Sequence, residues 1–462
     1  MSTKALSVVV ATIVALLIVD TAAAVTFDWW NSTWHYQVNV TINTSVYNRT
    51  DWPIEQDINF TQRLQDLGRV GAFDNNSVRV IEYNSTGSAL SEIESQFDKG
   101  EKYDKNQNAY GKVVWLLNGT RQNDTLLYYQ IYFDTEGGGA KPPPNYASTL
   151  AFYSFTEDSH LNFGLNNSKI AIRVDTDRGI NHTSGMYFAE VLGSSTVIFD
   201  SPSSQDPIEY LKYYNSVFGN YGHNFTDNFE VLYFGPVRIV VRQNGSEKDW
   251  GTADPPTITG NGYMTKTYTM YKNSQYIRIN QTFTSIQDGT GRQSDGVEAL
   301  SLDIDRTNMA PTGGPHYKLD TASEPSWASV ARSSMGLGVI NINESPPDFI
   351  AGRDPFNQDL GIAIPSTVTI NDGESISELA AVYFNNVTSH TPVEALRNRT
   401  KDDVIITTGE ATDRKIEVQP QTDYSIYNRN ETINVTGNVT LDTHNLSFKA
   451  NATITDSSGA NV

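Results

Sequence analysis

The feature that most restricts how this chain can fold is the period of its apolar residues, which is two along most of its length and rarely 3.6. Val38-Asn39-Val40-Thr41-Ile42-Asn43 alternates apolar and polar side chains, as a strand with one buried face does. Val78-Arg79-Val80-Ile81-Glu82-Tyr83 is similar, and 126–133 (LLYYQIYF) is a richer run suited to a more deeply buried strand. Turn-forming clusters separate these runs, at Asp74-Asn75-Asn76 and Asn84-Ser85-Thr86-Gly87. Further on, Phe234-Gly235-Pro236 leads into a stretch that places Val237, Ile239 and Val241 on one face and Arg238, Val240 and Arg242 on the other. Residues 266–271 and 276–283 read as paired strands around a turn at Lys272-Asn273-Ser274. Only 392–399 (PVEALRNR) reads as helix, with proline at a plausible first position. The expected class is all-β.

Breaks in the pattern divide the chain. Gly137-Gly138-Gly139-Ala140-Lys141-Pro142-Pro143-Pro144 cannot continue a sheet, because glycine is too permissive and consecutive prolines remove ladder donors. It closes a first unit, 25–140, of a size usual for one β-sandwich. Residues 146–409 form a longer, predominantly antiparallel β segment. From Arg414 the pattern restarts, and 414–462 is about half of an immunoglobulin-like sandwich of about 100 residues. It stops where another strand should begin, so Val462 reads as a fragment end.

The N-terminus gives an address. A short polar leader with Lys4 precedes a nearly unbroken apolar run at 5–19, and Ala22-Ala23-Ala24 supplies small residues for cleavage. That is the order of a secretory signal peptide, 1–24, and the run is short for a membrane span of about 20 residues. An uncleaved anchor is the alternative. No second run of spanning length follows, so no membrane span is expected in the mature chain.

Asn-x-Ser/Thr sequons point the same way. They stand at Asn31, Asn39, Asn43, Asn48, Asn59, Asn75, Asn84, Asn118, Asn123, Asn166, Asn181 and Asn224. They continue at Asn244, Asn280, Asn343, Asn386, Asn398, Asn430, Asn434, Asn438, Asn445 and Asn451. These 22 are drawn from 40 asparagines, where the 85 serines and threonines would by chance give about 7. Such an excess is expected of a chain glycosylated outside the membrane. Chance patterning on an Asn- and Thr-rich β surface is the plainer account. With no cysteine, stability must come from burial alone, which a chain of this length can supply. The net charge of -20 argues against nucleic acid or anionic lipid as a partner.

Two stretches carry resemblances. The tryptophan-rich opening, Phe27-Asp28-Trp29-Trp30-Asn31-Ser32-Thr33-Trp34-His35-Tyr36-Gln37-Val38, resembles an uncharacterised sandwich domain at the start of archaeal and bacterial surface proteins. The blocks 76–83 and 128–134 look like further parts of it, although that family carries a basic residue where Gln37 stands. The resemblance implies a location and a fold; separately, the secretory signal, dense sequons, missing cysteine and net charge of -20 together suggest an archaeal surface protein. Gly235-Pro236-Val237-Arg238 with 268–283 resembles the β-supersandwich of galactose-mutarotase-like domains, found in polysaccharide lyases and in accessory regions of glycoside hydrolases. It implies a fold and a saccharide substrate class, and no catalytic residue.

Few residues suggest chemistry on their own. The seven histidines are scattered, and His316, in a loop-like Gly313-Gly314-Pro315-His316-Tyr317, is a candidate ligand-binding residue against the plainer reading of an ordinary surface histidine. Arg238 and Arg242 share a strand face and are candidates to grip a uronate carboxylate, against the plainer reading of solvated or ion-paired arginines. Asp175 with Asp177, and Asp303 with Asp305, invite calcium but lack the EF-hand spacing, so no metal is expected. Trp29, Trp30 and Trp34 suit either a sugar-stacking platform or a sandwich core. No cofactor motif is present. The leading expectation is an extracellular, cell-surface glycoprotein with a glycan-binding or envelope role and a polysaccharide or envelope glycan as partner. A secreted polysaccharide lyase or glycoside hydrolase component, and a purely structural surface-layer module, are the alternatives.

Overall fold

The computed structural model describes residues 25–414 apart from 158–159, 176–184, 195, 201–207, 216–218, 225–228, 250–261, 287–288, 291–296, 303–315, 320–325, 333, 343–349, 354–359 and 365–368; beyond 414 it describes four two-residue strands. The architecture is all-β, in antiparallel sheets. The proposed signal peptide and the body of the expected immunoglobulin-like unit lie outside the described residues.

The first part of the chain supplies seven strands of five residues or more: β1 (Tyr36–Asn43), β2 (Pro53–Asn59), β3 (Arg79–Tyr83), β4 (Ala89–Ile93), β5 (Ser95–Lys99), β6 (Tyr110–Leu116) and β7 (Leu126–Phe133). β2, β6 and β5 make one sheet, and β1, β7, β3 and β4 belong to the other. Alternation delivers Val38, Val40 and Ile42 of β1 to the same core as Val113 and Trp115 of β6. A short helix, α1 (Phe60–Asp66), caps this core with Phe60 and Leu64, and the Asn59 side chain accepts from the Gln62 amide at 3.1 Å. The sequence pattern gave no warning of it.

The middle segment builds a larger sheet. Its central strands are β8 (Arg238–Asp249), β9 (Gly262–Tyr271), β10 (Tyr276–Ser285), β11 (Met335–Asn341) and β12 (Ser375–Asn385), in the order β8-β9-β10-β12-β11. The β9–β10 turn lies where the sequence places it, with Asn273 in the left-handed region at φ 62°. One face of this sheet packs through Ile239, Val241, Met264, Tyr268 and Ile279 against Phe163, Leu165, Ile172 and Phe199 from earlier strands. The other face, through Tyr271, Tyr276, Ala381 and Tyr383, shares the core of the first sandwich. Burial on both sides explains why β12 loses its alternation at Ala380 and is wholly buried from there to Asn385.

Three features fasten the parts together. The Gly-Pro linker is pinned: the Lys141 amide donates to Asp74 at 2.8 Å, its ammonium pairs with Asp134 at 2.8 Å, and Arg79 donates to the Pro142 carbonyl. Helix α2 (Thr391–Lys401) extends the predicted 392–399 by one residue before and two after, with Val393 and Leu396 in the shared core. Its final carbonyls would be orphaned, but buried Arg49 donates to those of Arg399 and Asp402 while stacking on Trp52 at 4.8 Å. Replacing Arg49 by Met should lower stability by about 2 kcal/mol, read as a shift of the denaturant midpoint. An unchanged midpoint would mean that water replaces the cap.

Finally, β13 (Ile405–Asp413) returns to the first sandwich and pairs antiparallel with β1, from Tyr36 opposite Asp413 to Asn43 opposite Ile405. The complete sheet order is β13-β1-β7-β3-β4. Gly409, where the sequence pattern placed the end of the middle segment, lies inside this strand.

Candidate functional site

The two arginines proposed to grip a carboxylate are both already paired. Arg238 is 6% exposed and lies between the first sandwich and the large sheet. Its guanidinium meets Asp98 at 2.7 and 2.8 Å and Glu55 at 2.8 Å. Gln96 accepts from the Val237 and Arg238 amides at 3.2 and 3.1 Å and donates to Asp98 at 2.7 Å. A Cβ on Gly235 would meet the Gln96 amide at 2.3 Å, so that approach requires glycine. Lys112 at 3.0 Å and the Tyr271 hydroxyl complete the shell of Glu55. Burial alone would raise the Glu55 carboxyl, but Arg238, the Tyr271 hydrogen bond, Arg278 and Lys112 together hold it at about 2.

This cluster joins two units and leaves no guanidinium edge for a uronate. The Gly-Pro-Val-Arg string is a clamp, and Val237, just before β8, packs on the sandwich side while Ile239 and Val241 enter the other core. Arg242 is half-buried and pairs with Glu230 at 2.8 Å, so the two arginines do not converge. His316 does not lie in a loop as expected but opens the strand His316–Leu319, paired opposite Ala331, and its side chain lies outside the described residues. Asp175 is buried, while Asp177, Asp303 and Asp305 lie outside the described residues.

A second group was missed in the sequence. Gln243, Lys266, Gln281 and Glu378 stand opposite one another on β8, β9, β10 and β12, all fully buried on the inner face of the large sheet. Apolar rows flank them: Val241, Tyr268, Ile279 and Ala380 on one side, Met264, Phe283 and Ile376 on the other. The Tyr268 hydroxyl donates to Gln243 at 3.0 Å, and Gln281 donates to Glu378 at 3.4 Å. Burial pushes the Glu378 carboxyl up to about 8, so it is neutral over most of the usual range. Strand parity was the available signal, since Glu378 shares its face with Ile376, Ala380 and Val382.

The third group is open to solvent. On the outer side of the β3–β7 pair, buried Trp34, Ile81, Tyr83 and Tyr132 carry a layer of half-buried Phe27, Trp29, Trp30 and Tyr128. Trp34 donates to the Ser77 carbonyl at 2.6 Å and lies between Arg79 and Lys141, each 5.5 Å from its ring. The Trp29 indole donates to the carbonyls of Asn31 and Trp34 at 3.0 and 2.9 Å. Trp30 leans on Trp34 at 5.2 Å and on Tyr132 at 5.5 Å. The three tryptophans therefore divide: Trp34 is core, and Trp29 and Trp30 form a partly exposed face.

Sequons bracket that face. The Asn31 side-chain oxygen accepts from the amide and hydroxyl of Thr33, both at 2.9 Å. Asn84 accepts from the amide and hydroxyl of Thr86 at 3.0 and 2.7 Å, in a turn whose Gly87 carbonyl takes the Asp28 amide. Both are Asx turns that use the oxygen and direct no described hydrogen bond from the Nδ2 amide. Of the other sequons, those at Asn39, Asn43, Asn118, Asn244 and Asn280 are half-buried or exposed. Asn224 lies in a strand whose side chains are outside the described residues, as are Asn434 and Asn438.

No protein-family model matches the sequence and no curated protein matches it. Among solved structures, an α-mannosidase from Enterococcus faecalis V583 is similar at 10% identity and a TM-score of 0.43, over 85% of this chain and 48% of that one. A glycosyl hydrolase family 38 protein from Enterococcus faecalis is similar at 11% identity and 0.44, over 82% and 48%. Galactose 1-epimerase from Lactobacillus acidophilus NCFM matches at 12% identity and 0.28, over 52% of this chain and all of that one. The chain spans about half the length of the two Enterococcus proteins. Likenesses of this size assign no activity to it. No described helix is long and apolar enough to cross a membrane.

Proposed function

We propose that this chain is exported and works outside the membrane as an N-glycosylated cell-surface protein with an envelope or glycan-binding role. The observation that carries the reading is how asparagines divide between core and surface. The structure describes the side chains of fourteen sequon asparagines, and all are half-buried or exposed. Among the described residues four asparagines are buried, Asn162, Asn167, Asn341 and Asn385, and none of them is the acceptor of a sequon. A sugar attached in the core would disrupt packing and strand polar groups, so used sequons must keep this division. The apolar run at 5–19 supports the same route.

The test is expression of the full chain in a secretory host that glycosylates asparagine, followed by N-terminal sequencing and glycopeptide mapping. The expected result is a mature start near Val25 and sugars at exposed Asn48, Asn118, Asn123, Asn244, Asn280 and Asn386. A chain that stays inside the cell, or leaves with all of these bare, overturns the reading. The same material, incubated with anionic and neutral polysaccharides, should retain glycans without releasing new reducing or unsaturated ends. Release of such ends would make it an enzyme.

A further inference from the structure

We infer that the sugar attached at Asn31 folds back onto the chain and covers the exposed parts of Trp29 and Trp30, so that glycosylation completes the packing of the aromatic face. This rests on the glycosylation reading and goes further, by giving one glycan a seat. The C–H face of a pyranose is apolar and matches the flat face of an indole, while its hydroxyls stay in water. The seat needs partly exposed aromatic rings, an attachment nitrogen beside them, and a rigid joint between the two.

All three are present at Asn31. Trp29 and Trp30 are half-buried, and both are fixed from below, Trp29 edge-on to Tyr132 at 5.3 Å and Trp30 against Trp34 and Tyr132. Attachment and ring are adjacent, since the Trp29 indole donates to the Asn31 carbonyl itself. The joint is held because Thr33 donates twice to the Asn31 oxygen, which leaves Nδ2 with no described hydrogen bond. Asn84 repeats the geometry beyond Phe27, through the Asp28–Gly87 hydrogen bond. The occupant is thus a sugar that the chain itself carries, at a local concentration that no free saccharide would reach.

The experiment uses Asn31→Asp, which keeps an oxygen for Thr33 and cannot be glycosylated. Iodide quenching of tryptophan fluorescence reads the face directly, because Trp34, Trp52, Trp115 and Trp327 are at most 7% exposed. A Trp250→Phe background removes the remaining indole. From the glycosylating host, Asn31→Asp should melt about 3 °C lower than the parent and be quenched more strongly. From a host that does not glycosylate, the two should coincide. Trp30→Ala should erase the difference between glycosylated and bare parent. If mapping finds Asn31 bare, both this inference and the assignment of that site fail. If Asn31 carries sugar but melting and quenching match those of Asn31→Asp, only the inference falls.

Discussion

Replacing Arg238 by Ala should lower the stability of the folded chain by about 3–5 kcal/mol, the largest loss expected from any single exposed-looking arginine in the sequence. The magnitude follows from what remains. Asp98 is 3% exposed at its side chain, Glu55 is largely enclosed, and both would face each other and Gln96 with no guanidinium between them. Burial already pushes Asp98 up, with Arg238 pulling against it. Removing that pull leaves two carboxylates that must take up protons or water. Arg242→Ala is the control: its pair with Glu230 is solvent-exposed, and its loss should cost less than about 1 kcal/mol. Chemical denaturation followed by fluorescence measures both. Equal midpoints for the two variants would return Arg238 to the list of available ligand-binding residues.

The second large effect is on pH. Glu378 titrates near 4.5 when unfolded and near 8 in the folded chain. Below pH 4.5 both states are protonated and the residue has no pH-linked effect. Between 4.5 and about 8 the folded state keeps a proton that the unfolded chain releases, so stability falls as pH rises. Above about 8 the loss is complete, about 5 kcal/mol at 1.36 kcal/mol per unit. Glu378→Gln removes the titration while keeping an acceptor for Gln281. The variant should match the parent near pH 4 and exceed it by up to about 5 kcal/mol near pH 9. Lys266, in the same row, is present in both proteins, so the difference between the two curves isolates the carboxyl. Parallel curves would show that Glu378 does not stay neutral in the core.

What the sequence revealed follows from the range of each interaction. Val38 to Asn43 carries its burial in a two-residue period, while Val80 to Tyr83 and Tyr129 to Phe133 are buried throughout, and all three runs lie in strands. Proline at the start and apolar spacing marked α2. Seven residues in α1 are too few for such a period, and the Asn59 cap alone was no signal against so many other asparagines. The role of Arg238 was hidden because its partners lie 140 and more residues earlier, on other strands. Sequon exposure was implied by chemistry, but the Asx turns that aim Asn31 and Asn84 needed three-dimensional detail.

The pairing of β13 with β1 has a consequence in time. A chain synthesised N-terminus first delivers β1 long before its outer neighbour. Until β13 arrives, Val38, Val40 and Ile42 sit in a strand whose one flank offers unpaired amides and carbonyls. The first unit to emerge is therefore among the last to close, and its closure waits on the whole of the large sheet. The sheet shuts like a clasp whose two halves, β1 and β13, lie far apart along the thread.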